Sequence, residues 1–415
     1  MKIAILGYGL EGHSAENYFK SHGHTVQIFE KVDADHPDPQ IFTADLILRS
    51  PSLRPRPEYS STTRYFFDHC PAPIIGVTGT KGKGTTSSII ASLLTALGHK
   101  VWLVGNIGVP SIDVLDQIQP EDVVVYEMSS FQLWDLEKSP TVAVVLRIEP
   151  DHLDVHYDFD DYVNAKANIV KHQTSTDSCI YYRDNTKSVA IAKKSPGHQI
   201  PYPATKDDAY YVQIHELITN SLHLRGDHNK ENAEAAIVAV SAFYNLPPEE
   251  FIAEHYKELS TGLANFRGLP HRLQFLREFN NVEYYDDNYS SAYPAMDVAL
   301  AAFEGQPTVL IAGGKDRHLD LTEIKHRLAT APNLIKVILI GETKRQLSAD
   351  LPEDRYILAD TLADAVKSAR EIAESHASSE TKAVVVMSPG AASFDMFKNF
   401  QDRGEQFQAL VEELK

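Results

Sequence analysis

Short apolar runs rich in Val and Ile alternate with amphipathic stretches along almost the whole chain. That alternation predicts α/β architecture with mainly parallel sheets, because parallel strands need crossover helices between them. The runs fall into three blocks. The first is predicted to hold short strands at 3–6, 25–29 and 45–48, with a helix after the first. It closes in the Pro-rich stretch from Pro51 to Pro57 and a second break at Cys70-Pro71-Ala72-Pro73. The second opens on Ile74-Ile75-Gly76-Val77, adds strands at 123–126 and 141–148, and runs to Gly268-Leu269-Pro270. Strands at 282–285, 308–311, 335–340 and 383–387 make up the third. Three domains are therefore expected, at 1–72, 73–269 and 270–415.

Composition narrows the class of partner. A formal charge of −18 argues against a broad nucleic-acid surface, which needs clustered Lys and Arg. Small anionic ligands stay open, since backbone N–H groups and a few placed cations hold them. No apolar run approaches the ~18 residues that span a bilayer. The start, Met1-Lys2-Ile3-Ala4-Ile5-Leu6, reads as a first strand and not as a signal peptide. Cys70 and Cys179 suggest neither a disulfide framework nor a zinc site. A cytoplasmic protein acting on metabolites is expected.

The strongest chemical signal is Gly76-Val77-Thr78-Gly79-Thr80-Lys81-Gly82-Lys83-Gly84-Thr85-Thr86. It follows an apolar strand and precedes a helical run at 87–97. A Gly-rich turn at a helix N-terminus aims several N–H groups at one anion. Lys83 adds a charge suited to β/γ-phosphates, and a following hydroxyl can ligate Mg²⁺. Gly84 stands where the strict phosphate-loop pattern has Ser or Thr, so Thr85 is the expected hydroxyl, with Thr86 in reserve. Glu127 and the Asp151-His152-Leu153-Asp154 turn each follow another strand of the block. In a parallel sheet all three segments emerge at the carboxyl edge, where such sheets bind ligands.

Gly7-Tyr8-Gly9-Leu10-Glu11-Gly12, with Glu30 ending the second strand, looks like a dinucleotide fingerprint. The block is short and shows no second mononucleotide half, so a nucleotide diphosphate suits it better than NAD. Further islands are His228-Asn229-Lys230-Glu231-Asn232, Phe266 to Arg272, Asp286-Asp287-Asn288, Gly313 to Arg317, and Ser388 to Asp395. Asn offers paired donor and acceptor, and Arg a fork for phosphate or carboxylate. Each island alone would equally serve as a cap or turn.

Taken in order, these segments resemble the Mur ligase family. The generic marks are the phosphate loop, His228-Asn229-x-x-Asn232 and Leu269-Pro270-His271-Arg272. More specific are Gly105-Asn106-Ile107-Gly108, Glu127-Met128-Ser129-Ser130-Phe131-Gln132-Leu133, and the run from Ser388 through Phe394-Asp395-Met396-Phe397-Lys398-Asn399-Phe400 to Arg403-Gly404. That last run looks like the family's D-glutamate-adding branch. The resemblance implies an N-terminal Rossmann-like UDP-binding domain, a central phosphate-loop ATPase and a C-terminal Rossmann-like domain for the amino acid. It implies a monomeric ligase that phosphorylates UDP-MurNAc-L-alanine from ATP and joins D-glutamate through an acyl phosphate, for peptidoglycan synthesis.

It also implies roles. Gly79, Thr80, Lys81, Gly82, Lys83, Gly84, Thr85 and Thr86 would hold the ATP phosphates, and Asn229, Asn232, Arg272 and Asp287 would contact the rest of ATP. Two Mg²⁺ ions, with Mn²⁺ as a substitute, would sit on Thr85, Glu127, His152 and Lys166, the last as a carbamate. Gly9, Leu10, Glu11, Gly12, Glu30, Ser50, Asn106 and Ser129 would meet the UDP-substrate. Arg317, Ser393, Phe394 and Ser291 would grip the amino acid. Lys83, Glu127, His152 and Lys166 are the expected catalytic set.

The chain departs from the family pattern at Asn288-Tyr289-Ser290-Ser291-Ala292. There Tyr289 replaces a lysine and Ser291 a threonine, while Arg317 stands where lysine is commoner. The departures leave open the same ligation with L-glutamate or another amino acid, and a nucleotide-binding relative without turnover.

Overall fold

The computed structural model describes residues 1–33, 36–317 and 320–415. The described chain forms three sheets, with no helix among the described residues long and apolar enough to cross a membrane. The mixed α/β class with parallel sheets is the one expected.

The first sheet has the order β2-β1-β3-β4, all parallel, from β1 (Lys2–Leu6), β2 (Thr25–Phe29), β3 (Leu46–Arg49) and the short β4 (Ser60–Ser61). The second has the order β10-β9-β8-β5-β7-β6. Its strands are β5 (Ile74–Thr78), β6 (Val101–Gly105), β7 (Val123–Glu127), β8 (Val142–Val145), β9 (Ser178–Tyr182) and β10 (His198–Tyr202), again all parallel. β5, β7 and β8 are buried at every position, as strands covered on both faces must be. The strand order reverses at β5, and a crevice for ligands opens at such a reversal.

The third sheet runs β11-β12-β16-β13-β14-β15. It contains β11 (Gln274–Phe279), β12 (Val282–Asp286), β13 (Thr308–Gly313), β14 (Leu334–Ile340), β15 (Tyr356–Leu358) and β16 (Ala383–Met387). Only β11 is antiparallel, forming an edge hairpin with β12.

The chain divides into two compact units. Residues 1–222 with 227–266 form one, and 223–226 with 267–415 the other. The first two sheets share a unit, and buried Arg49 on β3 is one reason. Its Nε donates to Asp135 Oδ2 at 2.8 Å and its Nη2 to Phe131 O at 3.0 Å, both beyond β7. The division after Phe266 falls beside Gly268-Leu269-Pro270.

The strand expected at 141–148 is shorter, Val142–Val145. Beyond it the backbone turns to serve the neighbouring loop: Arg147 O accepts from Thr80 N at 2.9 Å, and Glu149 N donates to Thr80 Oγ1 at 2.9 Å.

Candidate active site

β5 delivers the Gly-rich loop and the helix Lys83–Ala96 continues from it. Gly82 caps that helix at φ +85°, in the left-handed region. A Cβ at Gly82 would lie 2.5 Å from Asn232 Oδ1, so the residue is glycine for both backbone and space. Asn232 in turn accepts from Thr86 Oγ1 at 3.3 Å and donates to Asn229 Oδ1 at 3.4 Å. Thr86 is buried against Asn232, whereas Thr85 is only half-buried.

Two lysines meet on the loop. Lys83 Nζ donates to Gly79 O at 3.1 Å and Thr80 O at 3.0 Å. Lys166, from the helix Phe159–Lys171, donates to Gly79 O at 2.8 Å and Thr78 Oγ1 at 3.3 Å. Lys166 is 1% exposed. Burial, reinforced by the nearby Lys83 cation, drives its pKa well below that of an ordinary lysine, while Asp151 and Glu127 pull the other way. These four ionisable groups therefore share one electrostatic neighbourhood at the carboxyl edge of the sheet.

Glu127, the last residue of β7, is buried and accepts from Asn106 Nδ2 at 3.3 Å. His152 sits at φ +53°, half exposed, with its ring 5.0 Å from that of Phe131 and 3.7 Å from Asp151 Oδ2. Among the described residues no three His, Cys, Asp or Glu side chains are drawn together as a metal cage. Mg²⁺ does not need one, because it keeps waters and binds through one or two carboxylates plus substrate phosphates. Glu127 and Asp151, both within electrostatic reach of Lys166, with His152 next to Asp151, supply oxygen and imidazole donors that suit that mode.

A cavity of about 380 Å³ adjoins the loop, lined by Lys81, Gly82, Arg147, Tyr182, Glu231 and Asn232 among others. Tyr182 OH donates to Glu231 Oε1 at 3.1 Å and accepts from Arg147 Nη2 at 2.5 Å. Tyr182 lies on β9, a strand outside those expected from the sequence, whereas Arg147 falls inside the expected 141–148 run, where nothing local sets it apart from an ordinary strand residue. For β9 the aromatic run Tyr181-Tyr182 was the available signal.

The first sheet contributes a second turn to the same unit. Gly7, at φ +83°, would carry a Cβ 2.7 Å from Ser50 Cβ, so these two segments abut. Gly12 packs under Gly7, where a Cβ would meet Gly7 O at 2.7 Å. Gly9 and Leu10 leave the N-terminus of the helix Leu10–Ser21 open, and Leu10 is 74% exposed. Glu11 accepts from Thr62 Oγ1 at 2.6 Å and from Gln132 Nε2 at 2.9 Å. Gln132 forms a capping box with Ser129, which ties Glu11 to the Ser129 turn. Glu30 is exposed beyond β2.

His156, which no sequence motif marks, is buried beside Ser130. It bridges Ser130 Oγ at 2.9 Å and Asp161 Oδ2 at 3.1 Å and stacks on Phe131. Burial lowers its pKa despite Asp161, so it supports the Phe131–His152 contact as a neutral ring.

Arg272, Asp287, Ser291, Arg317, Ser393 and Phe394 belong to the second unit. Asp287 follows β12, accepts from Ser388 Oγ at 2.6 Å and Leu273 N at 3.1 Å, and is pushed up to about 7 chiefly by burial. Arg272 lies over the Tyr289 ring at 3.9 Å. Gly390 N donates to Ser290 O at 3.0 Å, and Lys315 bridges to Ala392. The segments bearing Ser291, Ser393 and Arg317 thus adjoin at the ends of adjacent β12, β16 and β13. Phe394 is 70% exposed at that edge and Ser393 is buried.

Residues 77–240 match the model of the Mur ligase middle domain. The chain is 30% identical over 462 residues to a UDP-N-acetylmuramoylalanine--D-glutamate ligase of Clostridium kluyveri, covering 100% of this chain and 97% of that one. Its identity to the enzyme of that description from Clostridium perfringens is 32%, over 88% of this chain and 82% of the other. Among solved structures, MurF from Acinetobacter baumannii shares the fold with a TM-score of 0.60 at 16% identity, covering 97% of this chain and 98% of that chain. With full-length likeness, the middle-domain match and a phosphate loop at the strand-order reversal all in hand, the chain belongs to the Mur ligase family.

Proposed function

We propose that this protein is an ATP-dependent ligase that adds D-glutamate to UDP-N-acetylmuramoyl-L-alanine in peptidoglycan precursor synthesis. The observation that carries the reading is the meeting of Lys83 and Lys166 on Gly79, in the electrostatic neighbourhood of Glu127. The relatives' shared description supports the substrate pair.

In this reading the 79–86 loop holds the ATP phosphates through the Lys83 cation and backbone N–H groups other than those of Thr80 and Thr86, which donate to Arg147 O and Gly82 O. Asn229, Asn232 and the cavity beside them take the nucleoside, and the family resemblance assigns Arg272 and Asp287 of the second unit to ATP as well. Gly9, Glu11, Gly12, Glu30, Ser50, Asn106 and Ser129 take the UDP-substrate. A carboxylate oxygen of the alanyl group attacks the γ-phosphorus, and the bond to the ADP oxygen breaks. The free amine of glutamate, held by Ser291, Arg317, Ser393 and Phe394, then attacks the acyl carbon. The tetrahedral intermediate collapses as its bond to phosphate breaks, leaving the amide. Thr85, Glu127, His152 and carbamoylated Lys166 would hold two Mg²⁺ ions, which supply charge neutralisation at the phosphate oxygens.

Lys166 suits carbamoylation because its lowered pKa favours the neutral amine, the form that attacks CO₂. The same reading takes 1–72, 73–269 and 270–415 as the UDP, ATP and amino-acid domains of a cytoplasmic monomer. Purified protein with ATP, Mg²⁺, the UDP-substrate and a panel of amino acids tests it. D-glutamate should release phosphate and yield the dipeptide product. No product with any amino acid overturns the ligase reading, and product with a different one alone changes the substrate.

A further inference from the structure

Two strand-end segments of the second unit are joined by one buried arginine, and a third packs against it. Arg403, in the helix Phe400–Glu412, is 0% exposed. Its Nε donates to Asn288 Oδ1 at 2.7 Å, and its Nη2 to Asn288 O at 3.3 Å and Ala391 O at 3.1 Å. Nη1 is buried with no hydrogen-bond partner among the described residues. Gly314 closes over the same guanidinium, where a Cβ would stand 3.2 Å from Nη1 and 2.3 Å from Ala392 O. One side chain thereby touches the segments leaving β12, β16 and β13.

A buried guanidinium bonded to neutral oxygens is a poor way to stabilise a fold, since apolar residues of similar volume usually do better. What its planar fork does supply is a fixed distance and angle between two backbone segments, which neither apolar packing nor a lysine can impose. Asp395 and Asp286 keep it cationic against its burial, its pKa being lowered to about 10.

We propose that Arg403 is a positioning residue for the amino-acid site, tying segments 288–291 and 391–394 together with Gly314 packed against its guanidinium, so that Ser291, Ser393, Phe394 and Arg317 form one preformed surface. The proposal rests on the ligase reading above. Preorganisation of this kind acts on binding of the group concerned, so its loss falls on one substrate.

The test is steady-state kinetics of full-length Arg403→Lys and Asn288→Ser, varying each substrate in turn. Both variants should raise the KM for D-glutamate by roughly tenfold or more, with kcat and the KM for the UDP-substrate within about threefold of the parent. A folded variant with an unchanged glutamate KM overturns the proposal. So does an equal loss for all three substrates, or failure of both variants to fold, because a purely structural residue gives those results. An unsubstituted protein that releases no phosphate with D-glutamate fails the ligase reading instead.

Discussion

The Lys166 side-chain nitrogen lies 2.8 Å from the carbonyl oxygen of Gly79, so a helix more than eighty residues downstream is fastened to the Gly-rich loop. The contact fixes the loop from below while Lys83 folds over it from its own helix. It also places a desolvated amine within the electrostatic reach of Asp151 and Glu127.

Lys166→Ala should lower turnover by at least about 10²-fold, the scale of losing a preorganised charged group at a reacting centre. Added bicarbonate should not restore it. With ¹³C-bicarbonate, the parent protein should give a carbamate carbon signal that the variant lacks. Full activity in the variant would remove the carbamate.

Lys83→Ala should leave the melting temperature almost unchanged and abolish ligation, again by about 10²-fold or more. The lysine is only partly buried at the start of its helix and donates to Gly79 O and Thr80 O of its own loop. A thermal-shift titration with ATP checks the cause, since the variant should lose the stabilisation that nucleotide gives the parent.

Gly82→Ala should cost on the order of 1–3 kcal/mol through backbone strain and collision with Asn232 Oδ1. Pairing it with Asn232→Ala separates the two causes. The double variant should recover the steric part and keep the φ penalty, as read by denaturant unfolding. Simple additivity would show that the collision is absent.

Glu234 sits in a helix with 3% exposure, accepts from Ala204 N, and is pushed up to about 7 by burial. An acid with a raised folded pKa holds its proton more tightly folded than unfolded. Stability should therefore fall as pH rises from about 4.5 to about 7 and level off above. Glu234→Gln should flatten that slope and stabilise the protein at pH 8 by up to about 3 kcal/mol. Parallel unfolding curves for the two proteins across pH 5–8 would contradict it.

Tyr289 stands where the family pattern has lysine, and its ring carries the Arg272 guanidinium. Tyr289→Leu should remove a contact of about 0.5–1 kcal/mol, seen as a roughly two- to fivefold rise in the KM for ATP. Tyr289→Lys should do worse, by setting a like charge beside Arg272. An ATP KM unmoved in both would show that the stack has no part in binding.

The sequence by itself determined the fold class, the three blocks of strands and the phosphate loop with its lysine. These are local properties: period of apolar positions, a Gly-rich turn between strand and helix, and charge at fixed spacing. Lys166 came from a resemblance, and its burial against Gly79 could not be read from Tyr162-Val163-Asn164-Ala165-Lys166. His156, Tyr182 and Arg403 gained their roles only in three dimensions, where Ser130, Glu231 and Asn288 come to meet them from distant segments. Strand order decided those meetings. β5 lies between β7 and β8, and β16 between β12 and β13, although the chain passes through them in another order. Side-chain patterning fixes that a strand is buried, but which strands adjoin depends on packing summed over the whole sheet, and that sum has no local signature.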